Sequence, residues 1–62
     1  MGMIMDYRVV QSSGTHAEDV VNEVAKEVLN YIHQGGGWKP TGGISVVFDG
    51  KYYTAFQAMF KG

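Results

Sequence analysis

The stretch from Gly35 to Gly43, Gly-Gly-Gly-Trp-Lys-Pro-Thr-Gly-Gly, holds the residue types in this chain best suited to gripping a ligand. Five of its nine residues are glycine, and a run of unhindered backbone N–H groups can bend into a concave nest for an anion. Trp38 adds a stacking face and Lys39 a cation, and Arg8 offers a second cation from elsewhere in the chain. The candidate ligand-binding set is therefore Arg8, Gly36, Gly37, Trp38, Lys39, Thr41 and Gly42, and its chemistry would be capture of a small anionic or nucleotide-like molecule. The glycines follow a helix instead of opening one, which is the wrong end of the dipole for a phosphate, and neither the P-loop nor the dinucleotide-binding glycine spacing occurs. Helix cap and strand entry, with Trp38 folding back on the core, explain the same residues without a ligand.

Other chemistry has less to stand on. Ser12, Ser13 and Thr15 beside His16 are the nearest approach to a nucleophile with a base, but loop and cap duties account for them. Glu23 and Glu27 with Lys26 between them read as a solvated helix face, and His33 as a residue capping a helix end. His16 and His33 have no cysteine near them to complete a zinc set. No catalytic residue, metal or cofactor is expected. Tyr7, Tyr52, Tyr53, Phe56 and Phe60 could stack on bases, but a net charge of −1 supplies no basic groove, so nucleic acid is disfavoured and packing is the expected use.

The elements that must position these residues sit in 62 residues, one domain of a size that buries only about 60% of its unfolded surface. Without cysteine there is no disulfide to supplement so small a core, and self-association is the supplement left. No stretch approaches a membrane span and the first residues lack the positive region of a secretion signal, which points to a cytoplasmic protein.

Met3 to Gln11 alternates, with Met5, Tyr7 and Val9 on one face and Asp6 and Arg8 on the other, which predicts a strand. Ser12-Ser13-Gly14 punctuates, and Thr15 with Glu18 has the spacing of a capping box that would start a helix at His16. Ala17, Val20, Val21, Val24, Val28, Tyr31 and Ile32 then recur at helical spacing as one apolar stripe, ended by Gly35. Asp49-Gly50 between two β-rich runs predicts a two-residue type I′ hairpin pairing Phe48 with Lys51, Val46 with Tyr53 and Ile44 with Ala55.

Tyr-Arg-Val-Val at 7 to 10, the helix, Gly-Trp-Lys-Pro-Thr-Gly-Gly at 37 to 43 and Tyr-Tyr-Thr-Ala-Phe-Gln-Ala-Met at 52 to 59 together resemble the short bacterial and phage proteins grouped as domain of unknown function 1737. The resemblance covers nearly the whole chain, and Gly35-Gly36 departs from that family's compact helix-to-Trp junction. It implies a βαββ fold and carries no assigned activity.

These readings converge on an α+β fold, a single βαββ domain over residues 1–62, with one helix on a three-stranded sheet. The uncovered face would expose either Ile44, Val46, Phe48, Tyr53 and Met59 or Val47, Tyr52, Phe56 and Phe60, and the second set is the one expected to be buried by another copy of the chain, since Ala55 on the first surface leaves room for the helix. The function expected is that of a non-enzymatic homo-oligomer, in one form a phage-type sequestering protein, that captures an anionic or nucleotide-like ligand. The alternative is a protein-interaction module that binds or inhibits a partner protein through the aromatic face.

Overall fold

The computed structural model describes residues 6–62, so the first three residues of the strand expected from Met3 to Gln11 lie outside the described part. Strand β1 (Asp6–Gly14), helix α1 (Ala17–His33), strand β2 (Trp38–Phe48) and strand β3 (Tyr53–Lys61) follow in chain order. The sheet order is β1-β3-β2 with both pairings antiparallel, so the last strand is the central one. This is the expected βαββ architecture, an α+β domain.

Helix α1 lies on the face that carries Ala55, Gln57 and Met59, all three buried on β3. Val20 and Val24 meet them from the helix, with Val10 and Trp38 from the outer strands, and Val21, Val28, Tyr31 and Tyr53 pack around this cluster. The small side chain of Ala55 permits the close approach, and Val24 has no exposure at all. At the other end of β1 the helix comes so near that a Cβ on Gly14 would lie 3.1 Å from Val20 Cγ1. The stripe read from the sequence thus faces the sheet, although Ile32 at its margin stays exposed.

Three local expectations are corrected. First, β1 continues through Ser12-Ser13-Gly14, where Ser13 Oγ bonds Thr54 Oγ1 at 2.9 Å, so the helix starts one residue later than His16. His16 becomes the N-cap, and Thr15 moves out of reach of the first-turn amides. The capping box of Thr15 and Glu18 does not form: the Thr15 hydroxyl bonds His16 Nδ1 at 3.1 Å, and Glu18 stays in the first turn as an acid at the positive end of the helix.

Second, the hairpin loop has four residues, not two. Phe48 pairs with Tyr53 and Val46 with Ala55, in place of the expected pairings with Lys51 and Tyr53. Asp49 is the cause. A type I′ turn needs positive φ at both central residues, and only glycines have it here. Asp49 instead turns its carboxylate to accept from the amides of Tyr52 (2.7 Å) and Lys51 (2.9 Å), which holds its pKa below the ordinary aspartate range. The slip is two residues, so every side chain keeps the face expected of it. Lys51 and Tyr52 are exceptions, since both lie in the loop and not on a strand face.

Third, the Gly42-Gly43 pair is not part of a regular ladder. The β2 register shifts between Thr41 and Ser45, and this bulge contains Ile44, which therefore does not pair with Ala55. Gly42 adopts φ +72° within it. The freed carbonyls of Thr41 and Gly42 accept from Gln57 Nε2 at 2.8 and 3.2 Å, and Nε2 also reaches Ala58 O at 3.0 Å. Gln57 is the one buried polar residue among those described, and it is buried because the bulge needs a donor there.

Gly50 has φ +100° with nothing within 4 Å of where a Cβ would stand. Gly50→Val is therefore strained by backbone conformation and not by crowding, and thermal melts should show a loss of about 1 kcal/mol or more. A neutral result would place the positive-φ demand of the loop elsewhere.

Candidate functional site

The sheet and helix bring four side chains together at the end where α1 finishes and β2 begins. Trp38 starts β2 directly opposite Lys61, the last residue of β3. The final turn of the helix sets Tyr31 against Trp38 edge-on, ring centroids 5.6 Å apart at 62°. Arg8, two residues into β1, donates from Nη1 to Tyr31 Oη at 2.6 Å, and its guanidinium carbon lies 4.8 Å from the Trp38 ring centroid. The Lys61 ammonium is 5.3 Å from the same centroid. Cations over an indole at such distances contribute about 0.5–1 kcal/mol each in exposed settings. Among the described residues, no carboxylate comes within 4.0 Å of Arg8 or Lys61.

The candidate ligand residues are divided by this geometry. Arg8 and Trp38 meet, and Gly36 lies beside them, since a Cβ there would stand 3.5 Å from Trp38 Cδ1. Gly37 borders the Lys61 stem. Lys39 and Thr41 pair with Phe60 and Ala58, which puts them on the opposite face of the sheet from Trp38. Gly42 belongs to the bulge, its carbonyl engaged by Gln57.

Trp38 is only 8% exposed. A planar ligand could stack on it only by displacing Arg8 or Lys61, whereas an anion could bridge the two cations and leave the indole covered. Tyr31 and Lys61 were absent from the sequence reading of this site. The helix stripe gave Tyr31 a core role, and nothing local to residue 61 shows that the terminal strand lies in the middle of the sheet, which is what carries Lys61 to Trp38.

On the other face of the sheet no element among the described residues covers the apolar side chains. Tyr7 and Val9 on β1, Phe56 and Phe60 on β3 and Val47 on β2 share that face by strand alternation and register. Tyr7, Val9 and Val47 are each more than half exposed. Of the interface set expected from the sequence, Val47, Phe56 and Phe60 lie here, and Tyr7 and Val9 extend the patch. Tyr52 sits beyond its end, in the loop, with the Lys51 ammonium 5.2 Å from its ring centroid. No protein-family model, curated protein or solved structure matches this chain.

No group of three or more potential metal ligands occurs among the described residues, and no helix there is long and apolar enough to cross a membrane.

Proposed function

We propose that this chain is a non-enzymatic binding protein that works as a homo-oligomer, assembled through the sheet face that the helix leaves open. The observation that carries the proposal is the contiguous set Tyr7, Val9, Val47, Phe56 and Phe60 on that face, set beside a core of six buried apolar residues among those described. A domain this small gains little from its own interior, and monomers seldom present an apolar face with aromatics at its centre. Each aromatic buried between copies contributes on the order of 2 kcal/mol, enough in sum to make folding depend on concentration. Size-exclusion chromatography with light scattering at micromolar concentration should return a multiple of 6.8 kDa. A stable, folded monomer defeats the proposal, and if that monomer gives way to a defined complex with a co-purifying protein, the face belongs to a partner instead.

A second reading, capture of a small anion, is favoured by one observation: Arg8 and Lys61 flank Trp38 with no carboxylate within reach among the described residues. Because Trp38 is the sole tryptophan, its emission reports directly on this corner. Inorganic pyrophosphate and ADP should both change it in a saturable way, and Arg8→Gln should abolish the response. A flat titration of folded, ligand-free protein removes the anion reading and leaves the oligomer unaffected.

A further inference from the structure

The two edges of the sheet are built differently. On β2 the ladder is interrupted by the Thr41–Ser45 bulge and the strand contains Pro40, both of which blunt an edge against an added strand. On β1 the register with β3 is unbroken from Asp6 to Gly14, with no proline and no bulge. Among the described residues, the backbone groups of β1 that point away from β3 have no ladder partner, because β1 is the outermost strand there.

Beside that edge runs an open groove of about 380 Å³, lined by Val9, Val10, Gln11 and Ser12 of β1 and by Glu23, Glu27 and Tyr31 of α1. Consecutive strand residues point to opposite faces, so four in a row can line one groove only where the strand edge forms its wall. The helical residues are spaced by four and form a single row overhanging the edge. Two of them are glutamates, and among the described residues no Lys, Arg or His lies within 4.0 Å of either. Like charges four apart on a helix repel by a few tenths of a kcal/mol, which a cation seated in the groove would reverse.

We propose that this groove docks an extended basic segment of a partner protein, which adds to β1 as a fourth strand and sets a Lys or Arg side chain beside Glu23 and Glu27. Main-chain bonds to the β1 edge supply the grip and the glutamate row supplies the selectivity. Pairing β1 with β1 of a second copy would bring two glutamate rows together across the twofold axis, which disfavours self-addition and keeps the edge free.

The test is fluorescence anisotropy with a labelled seven-residue peptide alternating valine and lysine, acetylated and amidated at its ends, against a counterpart with glutamate in place of lysine. The lysine peptide should bind and the glutamate peptide should not. The Glu23→Gln, Glu27→Gln double variant changes two exposed helix positions and should melt like the parent while binding about tenfold or more weakly, roughly 1.4 kcal/mol. Hydrogen exchange should show new protection within residues 9–12 on peptide binding. Failure of the lysine peptide to bind, equal binding by the glutamate peptide, unchanged affinity of the double variant, or protection that falls elsewhere overturns the proposal.

Discussion

Phe56→Glu should turn an assembled, folded protein into a dissociated or unfolded chain. Phe56 sits mid-way along the central strand, opposite Gln11 on one side and Ser45 on the other, and only partly covered by its own chain. Within one protomer a carboxylate there would face water and cost little. In an assembly it forfeits about 2 kcal/mol of apolar burial per copy and adds the desolvation of a charge, several kcal/mol more, at every interface. The total exceeds the margin of a small domain. Sedimentation velocity and circular dichroism on the variant should show a smaller, less structured species, while Lys26→Glu on the exposed helix face should leave both readings as in the parent. A Phe56→Glu protein that sediments and melts like the parent would mean that the open face is not an interface.

Gln57→Glu is expected to be nearly as severe, for a reason internal to the chain. The substitution keeps the shape of the side chain and replaces its donor with an acceptor, aimed at the carbonyls of Thr41, Gly42 and Ala58. At neutral pH a buried carboxylate would face three carbonyl oxygens, and a loss of about 3 kcal/mol or more should follow. The sign of the pH dependence identifies the cause. In the folded variant the new carboxyl titrates above its unfolded pKa of about 4.3, because only its protonated form can donate to the bulge. The variant's deficit relative to the parent should therefore be smallest below pH about 4.3 and widen as pH rises through the higher folded value. Denaturant melts of both proteins across that range would reveal it. A deficit that does not change with pH would assign the loss to packing.

The sequence carried the architecture because that information is periodic. The strip of valines on α1, the alternation on β3 and the aspartate-glycine pair each announce an element from nearby residues alone. Register and strand order depend on partners far along the chain, and there the reading was incomplete. Asp49 could equally have sat within a two-residue turn, and only its bonds to Lys51 and Tyr52 show the wider loop. The glycines at 42 and 43 stood out as unusual, but their bulge makes sense only with Gln57 as its donor. At the candidate site, charge and aromaticity alone pair Arg8 with Trp38. Lys39 follows Trp38 in sequence, but adjacent residues on a strand point to opposite faces, so the two do not share a site. Tyr31 and Lys61 could join them only once the order β1-β3-β2 was known.

That order also governs how the chain can be made. The central strand follows both of its neighbours in the chain, and among the described residues each outer strand pairs with it alone, Tyr7 to Phe60 on one side and Lys39 to Phe60 on the other. While the ribosome is still building β3, the helix can coil, but neither β1 nor β2 has a template. Sheet formation therefore waits for β3 and is dominated by contacts distant in sequence, the class of pairing that folds slowly and leaves strand edges unguarded in the interval. A nascent chain stalled before Tyr53 would hold Val9, Val10, Val46 and Val47 ready for whatever strand it met first, which makes the interval before β3 emerges the period of greatest exposure to chaperones and to aggregation.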